Sequence, residues 1–284
     1  GILNLKGTNS FEIIADTDEA GTTNVKTGTS TISSGITQNA INISWGAELI
    51  NNGTSSAILD NDGTFTNNST FTANSGSSND GGMSGTGTLN LNGTFANNNS
   101  LEQNVLNFTN NSTFTTADDV AVTLSNISND TNSGLFDANN SKFNNYNIGK
   151  ADLGSALNIA IDMSIANSTA DTFTLTSGDA GSGTFNISAL DISADDQTAF
   201  RARTETGFIT QKILNNANVN TILTLDNTVK TAYDISIDDE TVYDENHFGN
   251  GSSIKYNDKY GEYNFNRSRS TEMSIAGSDA NLLD

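Results

Sequence analysis

The apolar residues of this chain alternate with polar ones at a period of two. In Thr64-Phe65-Thr66 and Thr113-Phe114-Thr115 one Phe stands between two Thr. A strand puts successive side chains on opposite faces, so each Phe is expected inward and each Thr outward. Phe and Thr both favour pleated structure. Leu89-Asn90-Leu91 and the run Val120 to Leu124 repeat the scheme. From about residue 151 the alternation lengthens. It runs through Leu157, Ile159, Ile161, Met163 and Ile165, then Phe173 and Leu175, Phe185 and Ile187, Ile222 to Leu225, and Tyr233, Ile235 and Ile237. Residues 193–216 read equally as a short helix opened by Asp195-Asp196-Gln197 or as a strand through Phe200, Ala202 and Thr204. No amphipathic helix of useful length is present, and the reading is all-β.

Between the strands lie Asn-Gly, Asp-Gly and Asn-Asn pairs, which tolerate left-handed backbone and mark turns. Many of them belong to a loose repeat. "FTNNSTFT" occurs at 65–72 and again at 108–115, with relatives ANNNSL (96–101), ANNSKF (138–143) and INNGTS (50–55). Internal repetition points to a solenoid, because a single repeat cannot bury its apolar face alone. The irregular spacing requires coils of varying loop length, or copies at different corners. Stacked coils also give asparagine a use, since side-chain amides can hydrogen-bond along the stack. Coils of about twenty residues predict roughly fourteen of them and a rod near 65 Å.

Composition agrees. Asparagine supplies 43 residues, 24 of them between 51 and 150 (12 in 51–100 and 12 in 101–150). Proline is absent, where average usage predicts about fourteen. High polarity raises disorder as a reading, but only 16% of residues are charged and the 14 Phe recur at strand spacing, which argues for order. With no cysteine there is no disulfide, cysteine-ligated metal or thiol nucleophile. The net charge of −21 opposes binding to nucleic acid and anionic lipid and favours divalent cations. No apolar run is long enough to span a membrane as a helix. The chain begins at Gly1, which suggests a processed or excised chain.

"GTFTNNSTFTAN" (63–74), "GTLNLNGTFANNNSL" (87–101), "LNFTNNSTFTT" (106–116) and "SALNIAIDMSIANSTADTFTLTSGDAGSGTFNIS" (155–188) resemble passenger domains of Gram-negative autotransporters and related type V secreted adhesins. The resemblance covers about residues 45–240. It implies a right-handed parallel β-helix, exported across the outer membrane to the cell surface or the extracellular space. The expected partners are a host or bacterial surface glycan or protein, or further copies of the chain. The lack of cysteine fits such export. No translocator barrel is expected within these residues, so the resemblance implies a passenger piece. The expected organisation is Asn/Thr/Gly-rich coils over 1–150, longer-stranded coils over 151–245, and a capping hairpin and linker over 246–284.

Candidate chemistry is sparse, and the sequence assigns no catalytic, cofactor-binding or metal-ligating residue. The lone His247 sits in polar "DENHFGNG" without a nucleophile elbow and reads as surface. Polysaccharide cleavage is the alternative function. It needs two carboxylates about 5–9.5 Å apart. The densest acidic clusters, Asp118-Asp119, Asp195-Asp196 and Asp238-Asp239-Glu240, read as turns, because neighbours on a strand point apart. A trimeric, tailspike-like rod is a further alternative. "LDNDGTFTN" (59–67), with Asp60, Asp62 and Gly63, is the better place for calcium. It departs from a helix-loop-helix calcium loop in its early Gly and missing final Glu, so an Asp-Gly turn is the plainer reading. Gly-rich "SNDGGMSGTG" (78–87) lacks the Lys of a phosphate loop. Sequons at Asn68, Asn111 and Asn167 follow from composition. Trp45, beside alternating Ile41 and Ile43, reads as core, with sugar stacking as its alternative.

Overall fold

The computed structural model describes residues 1–7, 11–13, 21–130, 133–164, 169–177, 179–192, 209–217, 220–229, 233–238 and 253–258. The strands stack in parallel as a β-helix. Through the regular coils each turn carries three strand segments, hence three faces. One coil runs through Thr64–Asn67, Thr70–Asn74 and Ser77–Asn79. These segments pair in register with Gly82–Ser84, the first half of Thr88–Asn97 and its second half. The face of Ser77–Asn79 is called the first here, that of Thr64–Asn67 the second and that of Thr70–Asn74 the third.

Alternation builds the core as expected. Phe65, Phe71, Leu89, Leu91, Phe108, Phe114, Leu157, Ile159, Ile161, Met163, Phe173, Phe185 and Ile187 are fully buried. On the first face one inward column runs Thr23, Ile41, Leu59, Ser77, Phe95, Phe114, Phe136, Ile159, Ile187. From Phe95 downward the column turns aromatic and meets rings from the second face. Phe114 and Phe136 have centroids 5.0 Å apart, and Phe136 lies 4.9 Å from Tyr146 and 5.2 Å from Phe173.

The two copies of "FTNNSTFT" occupy different corners and fold differently. In the first, Phe65 lies on the second face and Phe71 on the third. Asn67 turns inward, fully buried, and Asn68 turns out. In the second, Phe108 lies on the third face and Phe114 on the first, and the strand Leu101–Thr116 bends through the corner without a break. There Asn110 and Asn111 take left-handed φ of 47° and 56° and both point outward. Asparagine tolerates that region better than other non-glycine residues, so one sequence makes two corners.

Asparagines ladder from coil to coil, inside and outside. Within the core Asn61 Nδ2 donates to Asn79 Oδ1 at 2.7 Å, and Asn79 Nδ2 to Asn97 Oδ1 at 2.8 Å. Asn51 Nδ2 donates to Asn67 Oδ1 at 2.9 Å, and Asn67 Nδ2 to Gln103 Oε1 at 3.0 Å. The same amides reach turn carbonyls: Asn61 to Gly82, Asn67 to Thr88 and Asn51 to Thr70. Each therefore supplies a buried corner with donors that water supplies elsewhere. On the outer surface Asn42, Asn24 and Asn4 form one further chain, and Asn110, Asn92 and Asn74 another.

The coils lengthen along the rod, so it holds fewer than the fourteen expected. The step is 18 residues from Asn61 to Asn79, 22 from Phe114 to Phe136 (136 − 114), 28 from Asn158 to Asn186 and 38 from Asn186 to Thr224. Beyond the stack, Ile209–Lys212, Tyr233–Asp238 and Ser253–Asp258 form a separate antiparallel sheet. The strand expected through Tyr233, Ile235 and Ile237 belongs to that sheet, while most of the expected 246–284 cap and linker lies outside the described residues. Among the described residues no helix is long and apolar enough to cross a membrane.

Candidate interaction edge

Much of the lengthening occurs at one corner, where the first face turns into the second. Inward residues flank it closely in the early coils, at Asn61 and Phe65, Asn79 and Met83, and Asn97 and Leu101. The gap then opens to Thr116 and Val122, and to Ala138 and Tyr146. Loops that vary on a rigid scaffold are where binding residues concentrate, which makes this edge the candidate site.

Its upper part is narrow because glycine allows the corners to stack. A Cβ on Gly81 would stand 2.0 Å from the Gly63 carbonyl oxygen, and one on Gly63 would stand 2.4 Å from that of Ala47. These are the Asp62-Gly63 and Asp80-Gly81 turns. The turn reading of "LDNDGTFTN" therefore holds, and close backbone approach is what demands its glycine.

One coil earlier the same corner is Ser44-Trp45-Gly46. Trp45 is 88% exposed, which corrects its reading as core. Alternation stops at Ile43, and Gly46 takes φ of +76°. The turn throws Trp45 outward before inward positions resume at Ala47 and Leu49. Farther down the corner Phe143 is 37% exposed, on the turn 138–144 beside Lys142.

Carboxylates gather beneath Trp45. Oxygens of Asp60, Asp62 and Asp80 lie within 4.8 Å of one another, all exposed. Asn98 Nδ2 donates to Asp80 Oδ1 at 2.8 Å, and Ser78 Oγ to Asp60 Oδ1 at 3.4 Å. Three hard oxygens at this spacing suit a divalent cation, and exposed carboxylates also cluster without one. The sequence signal for the trio is "NDG" at 61–63 and again at 79–81, one coil apart. Asp118 and Asp119 sit exposed in the same corner two coils below Asp80, with Asp119 at φ of 56°, as a turn reading requires. Of the other acidic clusters and the lone histidine, Asp195, Asp196, Asp239, Glu240 and His247 lie outside the described residues. Asp238 ends a strand of the small sheet.

The alternation did not expose a second acidic pair, Asp162 and Asp171. By period two Asp162 faces outward, yet Ala160 through Ser164 are all buried. Asp162 Oδ2 accepts from the Asn140 and Ser141 amides at 2.7 and 2.6 Å. Asp171 Oδ1 accepts from the Asn144 amide, and its Oδ2 from the Asp162 amide, both at 2.8 Å. Burial pushes the Asp171 carboxyl up to about 7 against the lowering effect of these bonds. Asp162 is raised for the same reason, with Asp191 and Asp137 adding to it. Both carboxylates are closed off from solvent and engaged by backbone, so they tie loops together.

Compared with known protein families, curated proteins and solved structures, the chain matches none.

Proposed function

We propose that this chain is part of a secreted or surface-displayed bacterial β-helix passenger, acting in adhesion or as extracellular structure. The observation that carries the reading is the one-sided edge of the rod. There Trp45 and Phe143 stand in solvent beside acidic and amide side chains, on a scaffold stiffened by coil-to-coil ladders. An exposed indole offers a flat apolar face to a sugar ring or a partner side chain. Neighbouring carboxylates and amides accept and donate to hydroxyls. Such an edge binds through many modest contacts along its length. Surface glycan or protein is its expected partner, and the cell surface or medium its expected location.

A polysaccharide-cleaving reading draws less support. It needs two carboxylates facing each other across an open groove. The Asp162–Asp171 pair is buried and held by backbone amides, and Asp60, Asp62 and Asp80 crowd on an outward corner.

The test is retention of the purified chain on arrayed bacterial and host glycans and on immobilised extracellular proteins, beside Trp45→Ala and Phe143→Ala. Binding that falls at least tenfold in either variant, with the fold intact, supports the edge. Binding that ignores both substitutions removes it, and release of reducing sugar ends from any arrayed polysaccharide would favour the enzyme.

A further inference from the structure

Asp162 and Asp171 form a clip across two coils. The turn 138–144 hangs from the preceding coil by Asn140 Nδ2, which donates to the Thr116 and Ala117 carbonyls at 3.0 and 3.2 Å. From below, the two carboxylates take the Asn140, Ser141 and Asn144 amides of that turn. The carboxylates are coupled to each other, since Asp171 accepts the Asp162 amide and its own amide donates to the Asp162 carbonyl at 3.0 Å.

Negative charge dominates the surroundings. Asp137 and Asp191 act on Asp162 from neighbouring strands, and Tyr146 faces Asp171 from the second face. Lys142 lies exposed on the turn, and Lys212 belongs to a strand that passes near Thr169–Ala170. Asp118 and Asp119 follow Ala117 on the coil above. Among the described residues the one ion pair is Lys150–Asp152, so no described cation pairs with either buried carboxylate. The Tyr146 hydroxyl is buried and, among the described residues, lacks a partner at hydrogen-bond geometry. Two buried negative charges without a counter-charge are costly, and one proton on the pair removes most of that cost.

We propose that the Asp162–Asp171 clip is a pH-responsive latch: holding one proton it fastens the turn 138–144 to the coil below, and losing that proton loosens the turn. The direction follows from linkage. In the opened turn Asp171 returns to the ordinary carboxylate range near ~4, whereas in the closed turn burial holds it at about 7. The closed form therefore binds the proton more tightly. Its advantage is complete below the open-state value, falls as pH rises towards 7 and is gone above it. The latch concerns the order of the turn and does not depend on what the edge binds.

Two measurements test it. In the intact chain, carbon-detected NMR of the aspartate carboxyls is expected to show one group with a midpoint near ~7. Amide exchange at Asn140, Ser141 and Asn144, corrected for intrinsic rates, is expected to show an opening constant rising up to about tenfold per pH unit between ~4 and ~7, then levelling. Asp171→Asn is expected to flatten that rise while amides in the Asn61–Asn97 coils keep their behaviour. The latch is overturned if every carboxyl titrates below ~5, or if Asp171→Asn and the parent open in parallel with pH. The NMR titration needs no variant, so a misfolded Asp171→Asn leaves the test decisive.

Discussion

Asn79 is the middle rung of the buried ladder, and replacing it with alanine isolates what an internal amide contributes. Asn79 is fully buried. It accepts from Asn61 at 2.7 Å, donates to Asn97 at 2.8 Å and reaches the Ser100 carbonyl at 3.3 Å. The truncation strands one N–H of Asn61 and the acceptor of Asn97 in a place water does not reach. Each buried orphan costs about 1–3 kcal/mol, so Asn79→Ala is expected to destabilise the chain by about 3–5 kcal/mol. The control is Asn24→Ala on the outer ladder. Asn24 makes bonds of similar length, 2.7 Å from Asn42 and 2.9 Å to Asn4. Water replaces them there, and the expected loss is under about 1 kcal/mol. Urea midpoints at unchanged slope give both numbers, and a changed slope would reveal that the stack melts in parts. A further comparison uses the ladder's own ends. Asn61 Oδ1 and Asn97 Nδ2 are already buried without partners, because the column continues into Ile43 above and Thr116 below. Replacing Asn61, Asn79 and Asn97 together by valine is therefore expected to cost less than the sum of the single changes. Equal losses for Asn79→Ala and Asn24→Ala would refute the argument that burial gives the ladder its value.

Other substitutions probe other parts of the rod. Phe136→Ala removes the ring that joins first-face and second-face aromatics and is expected to cost about 3–5 kcal/mol by thermal or urea unfolding. Gly81→Ala forces a Cβ against the Gly63 carbonyl 2.0 Å away. It is expected to cost at least about 1–3 kcal/mol, with exchange protection lost first at the neighbouring corners. Trp45→Ala is expected to leave stability within about 0.5 kcal/mol, and a loss of several kcal/mol would restore Trp45 to the core. Asp80→Asn relieves like charge beside Asp60 and Asp62, so the melting temperature is expected to rise at low ionic strength and the difference to vanish in high salt.

Strand alternation was the most legible part of the sequence. Phe65, Phe71, Phe108 and Phe114 point inward as their Thr neighbours required. Corners were harder, because their conformation depends on the coil beneath. Trp45 obeys the same alternation on paper, and one glycine turn reverses it. The identical "FTNNSTFT" segments bend differently for the same reason, since Asn67 meets Asn51 across one corner and Asn110 meets Asn92 across another. The acidic trio was half visible in Asp60 and Asp62, while Asp80 joins only when an 18-residue step stacks one "NDG" on the next. Asp162 was hidden most completely. Its strand alternates cleanly, but the pairing slips between Ile159 and Ala160, and the turn 138–144 bonds to its outer side.

The change of core along the rod accompanies the change of corner. Where the first corner is a two-residue Asp-Gly turn, first and second faces stay close and medium side chains with amide rungs fill the space between them. Asn61 and Asn79 can then reach both the next rung and a turn carbonyl. After Asn97 the same column continues in register as Thr116 and Ala138, which carry no amide, and the ladder stops. Rings take over from both faces: Phe114 and Phe136 from one, Tyr146 and Phe173 from the other, with centroids 4.9–5.2 Å apart. The widened corner leaves loop backbone over the core edge that needs its own acceptors, and Asp162 and Asp171 supply them. The widening that sets in where the asparagine ladder ends thus brings carboxylates into the interior, and with them the pH sensitivity of that end of the stack.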